Sequence, residues 1–186
     1  NDINLASGNQ MVSAGLNNLF GEVIWFYPSA TSNVINKQVS KVLITFGGTD
    51  PTNKTQKIIE IFEKNNLTNI EFTVILGIGY SHKKSLNNLI SKMKKNNFKL
   101  KIIEGSDFLA KFFRETDFAI TSNGRTVFEL AAMNVPIITI PVNKREKTHS
   151  FVKHAGVGFQ IDPDSKIFEA QFLNSFNEIA EPSYSL

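Results

Sequence analysis

From position 41 onward, short apolar runs alternate with segments whose apolar residues recur at helical spacing, and glycine or small polar residues stand between them. Val42-Leu43-Ile44-Thr45-Phe46 predicts a buried strand, Gly47 to Asn53 a loop, and Ile58, Ile59, Ile61 and Phe62 a helix over about residues 54–64 capped by Thr52 or Asn53. Residues 71–76 repeat the strand, Gly77-Ile78-Gly79-Tyr80 the turn, and 83–95 the helix, with Leu86, Leu89, Ile90 and Met93 inward. A third unit takes 98–103 as strand, Glu104-Gly105-Ser106-Asp107 as turn and 108–115 as helix. In the fourth, Phe118-Ala119-Ile120 is a strand covered on both faces, Ser122-Asn123-Gly124 is a turn that also offers an N-cap, and the helix runs to about Met133. The fifth strand, 136–140, is closed by Pro141; a polar loop over 142–147 leads to a helix ending near Ala155, with Gly156 as C-cap. A short strand over 157–161, a turn at Asp162-Pro163-Asp164 and a last helix carrying Ile167, Phe168, Phe172, Leu173 and Phe176 complete the pattern. Strands alternating with helices at this spacing imply right-handed crossovers, hence a doubly wound parallel α/β domain over residues 41–180.

The first forty residues break that rhythm. They are dense in small polar side chains, carry one strand-like stretch (Val23-Ile24-Trp25-Phe26-Tyr27) ended by Pro28, and read as the tail of a preceding domain plus a linker. Residues 181–186 read as a C-terminal tail. The chain opens on Asn rather than Met, which suggests a piece of something larger.

Composition narrows the chemistry. With 186 residues, 41% hydrophobic and 20% charged, the chain is ordinary globular protein. A net charge of +3 with scattered lysines is poor support for nucleic acid as a partner. No Cys is present, which rules out disulfides, thiolate metal sites and a Cys nucleophile, and fits a cytoplasmic setting. No apolar run has the length of a membrane span.

In open α/β sheets ligands bind at the carboxyl ends of the strands, near the point where strand order reverses. That rule selects the loops Gly47 to Asp50, Gly77 to Tyr80, Gly105 to Asp107 and Ser122 to Thr126. Glycines let a backbone approach phosphate closely, and the start of the helix after Ser122-Asn123-Gly124 aims N–H groups at an anion such as a diphosphate. Glu129, one turn in, is placed to accept from ribose hydroxyls; taken alone it also reads as a solvated helix residue. Neither a dinucleotide G-x-G-x-x-G nor a P-loop occurs, and no cofactor is called for. His82, His149 and His154 form no metal pattern; His149 lies beside the ligand-side loop and is either a substrate contact or simply solvated. Asn143-Lys144-Arg145-Glu146-Lys147 is the other candidate for substrate contact.

Val42 to Pro51 (V-L-I-T-F-G-G-T-D-P), Asp117 to Glu129 and Pro136 to Gly156 together resemble the C-terminal half of the UDP-sugar hydrolase of pseudaminic acid synthesis, and spore-coat-polysaccharide-type proteins of that group, some of them fused to an acylneuraminate cytidylyltransferase. The likeness extends more distantly to the lipid II N-acetylglucosaminyltransferase. It implies a Rossmann-like fold, the C-terminal half of a B-type glycosyltransferase. It further implies that Gly47, Gly48, Thr49, Ser122, Asn123, Gly124, Arg125 and Thr126 surround the diphosphate, with Glu129 on the ribose, while Gly105, Ser106 and Phe108 border the base and Asp50, Asn143, Glu146 and His149 face the sugar. The implied partners are a UDP-sugar and an N-terminal domain of the same protein that carries the general base, so this chain alone binds without turnover. The implied reaction is release of UDP from an amino-sugar donor by water in cell-surface-glycan (nonulosonic acid) synthesis. Transfer to a sugar acceptor, or a non-catalytic binding module, are the alternatives.

Overall fold

The computed structural model describes residues 39–67, 69–93, 99–105 and 108–180. The expectations for residues 1–38 and 181–186, and for Ser106 and Asp107, lie outside the described residues. In order come β1 (Lys41–Thr45), α1 (Lys54–Lys64), β2 (Glu71–Leu76), α2 (Lys83–Lys92), β3 (Lys99–Glu104), α3 (Ala110–Phe113), β4 (Phe118–Thr121), α4 (Thr126–Ala132), β5 (Ile137–Thr139), α5 (Lys144–Lys147), α6 (Phe151–Ala155), β6 (Gly158–Gln160) and α7 (Phe168–Ala180). The six strands form one sheet in the order β3-β2-β1-β4-β5-β6, with every pairing parallel. The doubly wound architecture read from the pattern is therefore the one observed, and strand order reverses between β1 and β4.

Period-two alternation sorts the strand residues onto two faces. Val42, Ile44, Phe72, Val74, Phe118, Ile120 and Ile138 turn toward α1, α2 and α7, where Phe62 meets Phe72 at 4.5 Å and Phe172 and Phe176 at 5.5 and 5.2 Å between ring centroids. Leu43, Ile75, Ala119 and Ile137 turn the other way, toward α3, α4 and α6. Burying each large side chain contributes roughly 1.5–3 kcal/mol, and the aromatic face holds most of the largest fully buried ones. At the amino edge Asp117 accepts from the backbone N–H of Ser40 and of Lys41, both at 2.7 Å, so β4 starts in register with β1. At the carboxyl edge Thr45, Thr121 and Thr139 stand side by side across β1, β4 and β5, all buried, and mark the layer where the core gives way to the loops above.

Several details differ from expectation. Asn53 takes the N-cap position of α1 but its side chain makes no cap bond; Asp50 instead receives the N–H groups of Lys54 and Thr55, both at 2.8 Å, across a loop with left-handed backbone at Asp50 (φ 41°) and Asn53 (φ 50°). The helix expected over 108–115 shrinks to one turn, closed on either side by tight bonds such as Phe112 N–H to Leu109 and Glu115 N–H to Phe112. The segment expected to be a polar loop contains α5, capped by the Asn143 side chain, which accepts from Glu146 N–H at 2.9 Å. Ile167 is not inward; it is 62% exposed, in the turn before α7, where its N–H meets the Ser165 hydroxyl. Gly156 does end α6 in the left-handed region, at φ 65°.

Candidate functional site

The loops after β1 and β4 flank the reversal of strand order, the point where sheets of this kind open a crevice for a ligand. On the β1 side Gly47, Gly48 and Thr49 are exposed, and a Cβ added at either glycine would meet nothing within 4 Å, so there is open space above them. The β2 turn braces this loop from the side: Gly79 N–H donates to Gly48 C=O at 2.9 Å, and a Cβ on Gly77 would lie 2.3 Å from that oxygen, so only glycine fits there. Tyr80 completes the brace with its hydroxyl donating to Asn53 at 2.6 Å. Burial first, and the Asp50 charge second, push its phenol up to about 12. Asp50 itself is 3% exposed with both carboxylate oxygens on the N–H groups of α1.

The β4 side is built from long-range contacts. Asn123 is fully buried, and its amide donates to the carbonyls of Glu146 (3.0 Å) and His149 (2.8 Å) and to the Gln160 side chain (3.0 Å). Glu146 returns the contact: its Oε2 accepts from the backbone of Asn123 at 3.1 Å and of Val142 at 3.0 Å. His149 Nδ1 lies 2.7 Å from the Asn123 carbonyl; a carbonyl only accepts, so Nδ1 carries the proton and Nε2 is the ring's remaining polar atom. Asn123 therefore locks the turn from inside. Its side chain does not cap α4, whose N-cap position, Arg125, makes no side-chain cap bond either, correcting the cap expected from Ser122-Asn123-Gly124.

What the lock leaves open is a run of backbone donors. The N–H groups of Gly124, Arg125, Thr126 and Val127 have no acceptor among the described residues, as the first turn of a helix dictates when no cap is present. Beside them, the Ser122 hydroxyl would lie 3.4 Å from a Cβ on Gly124, and Glu129 is half-buried in the first turn of α4. Together with the open glycine loop of β1, these form an uncrowded set of donors suited to a polyanion.

Of the expected base-side residues, Gly105 (φ 64°) and Phe108 (48% exposed) stand past β3, the edge strand. Ile78, which the pattern left as a plain turn residue, joins them: it is 90% exposed, and its Cγ1 would be 3.5 Å from a Cβ on Gly105. An isoleucine between two glycines in a solvent-side turn was the available signal. The expected sugar-side residues divide. Asn143 and Glu146 spend their side chains on the cap of α5 and on the β4 turn, whereas His149 lines a cleft of about 420 Å³ together with Lys147, Ser150, Lys153, Gln160 and Asp162. Two signals were passed over. Asn143-x-x-Glu146 has the spacing of a helix-capping box, and Lys54 is a cation at the first position of a helix, where an acid is the favoured residue.

A doubly wound parallel sheet with glycine-bearing loops at its switch point is an architecture in which ligands bind at the carboxyl ends of the strands. Residues 42–156 match the glycosyltransferase family 28 C-terminal domain, and the chain belongs to that family. An uncharacterized protein of Methanocaldococcus jannaschii is 34% identical over 113 residues, which is 60% of this chain and 23% of the relative. Among solved structures, the calicheamicin glycosyltransferase CalG4 superposes with a TM-score of 0.53 at 15% identity, over 78% of this chain and 34% of that one. The spinosyn rhamnosyltransferase SpnG, complexed with thymidine diphosphate, gives 0.53 at 17% identity, over 82% and 40%. At such identities the likeness is one of fold: this chain has the B-type glycosyltransferase-like architecture and spans well under half the length of the proteins it matches.

Proposed function

We propose that this chain is the nucleotide-sugar-binding half of a glycosyltransferase-type enzyme that builds a surface glycan, and that the crevice between the β1 and β4 loops takes the diphosphate of a UDP-sugar. The observation that carries the reading is the run of N–H groups from Gly124 to Val127, without an acceptor among the described residues, on the strand next to the one that carries the open Gly47-Gly48-Thr49 loop. Donors fixed before the ligand arrives stabilise charge on a departing diphosphate without reorganising, which is where such a domain contributes to the rate. Ser122 and Thr126 hydroxyls add to them, Arg125 supplies a cation at the rim, and Glu129 takes the ribose. Ile78, Gly105 and Phe108 form the apolar border for the base. His149 faces the glycosyl group, while Asn123, Glu146, Asn143 and Asp50 hold the two loops in shape.

The leaving-group chemistry is common to transfer and hydrolysis, which differ in whether an acceptor hydroxyl or water attacks the anomeric carbon. Family membership favours transfer. The resemblance of V-L-I-T-F-G-G-T-D-P and its companion motifs to the pseudaminic-acid-pathway hydrolase keeps UDP release from an amino-sugar as the second reading. Either way the attacking group's base comes from a companion domain that closes over the carboxyl ends of the strands, in a cytoplasmic enzyme. Calorimetric titration with UDP, thymidine diphosphate, CMP, GDP and NAD tests the binding claim. Selective binding of a pyrimidine diphosphate supports it; equal or absent binding of all five sinks it. Product analysis of the parent enzyme with a UDP-amino-sugar, with and without acceptor, then separates transfer from hydrolysis.

A further inference from the structure

Asn123-Gly124 is the chain's one Asn-Gly pair, the dipeptide most given to intramolecular loss of ammonia, because a glycine nitrogen has no side chain beside it to hinder attack on the preceding amide. Here the attacking atom is also uncommitted. The Gly124 N–H has no acceptor among the described residues, and a Cβ at Gly124 would meet only Ser122 Oγ at 3.4 Å and Glu146 Oε1 at 3.6 Å. The fold opposes the reaction at three points. Ring closure needs the Asn123 side chain to turn its Cγ onto the Gly124 nitrogen, yet Nδ2 is held by the carbonyls of Glu146 (3.0 Å) and His149 (2.8 Å) and by Gln160 Oε1 (3.0 Å). The backbone is pinned as well, since the Asn123 N–H donates to Glu146 Oε2 at 3.1 Å and the Asn123 carbonyl accepts from His149 Nδ1 at 2.7 Å. Asn123 Oδ1, where negative charge would grow, is buried with no hydrogen-bond partner, so no donor stabilises the tetrahedral intermediate.

We propose that Asn123-Gly124 is a site of spontaneous covalent modification that the fold holds in check, and that its completion switches the β4 turn off. In the step, the Gly124 nitrogen gives up its proton and bonds to Asn123 Cγ, the Cγ–Nδ2 bond breaks, and Nδ2 leaves as ammonia with that proton. Water then opens the cyclic imide at either carbonyl. The product is aspartate at position 123 or its isomer, in which the backbone runs through the side-chain carbon. Neither rebuilds the lock. A carboxylate donates nothing to the carbonyls of Glu146 and His149 or to Gln160 Oε1, and an unpaired charge at a site with no solvent exposure is costly. It also adjoins the N–H run from Gly124 to Val127; resting on the diphosphate reading above, it repels the anion those groups take. Because ring closure requires the lock to come apart first, modification passes through opened forms of the chain and records how often the turn opens.

The test incubates the 186-residue chain at mildly alkaline pH, folded and in guanidinium chloride, and follows the peptide spanning Asn123-Gly124 by mass spectrometry. The proposal predicts conversion at least about a hundredfold slower in the folded chain, the factor set by the small population of opened forms. An Asn123→Asp variant, measured alongside, should have a lower thermal midpoint and, where folded, bind UDP at least about tenfold more weakly than the wild type. Conversion of the folded chain within about threefold of the rate in guanidinium chloride overturns the gating by the fold. A wild-type midpoint in Asn123→Asp, or UDP binding within about twofold of wild type by the folded variant, overturns the switch. Absence of UDP binding in the wild type itself overturns the diphosphate reading instead, while the two conversion rates and the midpoint still decide the modification and its effect on the lock.

Discussion

The two loops at the switch point are held by different means. The β1 loop combines a local cap with a brace from the next turn: Asp50 caps a helix that begins four residues later, and Tyr80, after β2, bonds Asn53. The β4 turn is shaped from afar: Asn123 reaches Glu146, His149 and Gln160, residues 23 to 37 positions downstream. The first loop is exposed from Gly47 to Thr49, while the β4 turn leaves the N–H groups of Gly124 to Val127 without an acceptor among the described residues. On the proposed function, the first loop has room to adapt to a ligand and the second presents it with donors. That division suits a site that must admit a substrate and still be preorganised toward a leaving group.

The sharpest way to break the comparison is at Asn123. Removing its amide in Asn123→Ala strands two carbonyls and the Gln160 side chain and adds a small void, so the loss of stability should be about 3 kcal/mol or more, read from urea denaturation. Asp50→Ala unpairs two N–H groups of α1 at a site only 3% exposed and should cost about 2 kcal/mol. If the two losses came out equal and both spread over the whole chain, the distinction between a local and a remote device would fall.

Tyr80→Phe is the gentler probe, expected at about 1 kcal/mol for one hydrogen bond. It also carries a pH signature. The phenol is raised in the folded state from 10.0 to about 12, so its contribution is fully present below about pH 10 and is lost as pH rises toward 12. Wild-type stability should fall over that window more steeply than that of Tyr80→Phe; parallel curves would refute the assignment. Smallest of all is Lys64→Ala, which removes an exposed ion pair with Glu169 at 2.9 Å and should shift the denaturation midpoint least of these variants.

The same contrast explains what the sequence disclosed. Strand runs such as Glu71–Leu76 and the helix over 54–64 are written in local period, and they emerged where the pattern put them. So did the loops after each strand, since glycine and small polar residues mark them directly. The roles of Asn123 and Glu146 were not legible, because a side chain that bonds 23 residues away leaves no trace in a local window. Ile167 went wrong for a related reason, since the period of α7 extends into a turn whose geometry Ser165 decides.

The most direct test of the central claim is a backbone-amide NMR titration of the 186-residue chain with UDP. The account predicts that the amides of Gly124, Arg125, Thr126 and Val127 shift together with those of Gly47, Gly48 and Thr49, saturating on a single isotherm. Shifts that leave both of these groups unmoved, confined for instance to the cleft lined by Lys147, Lys153 and Asp162, would contradict it.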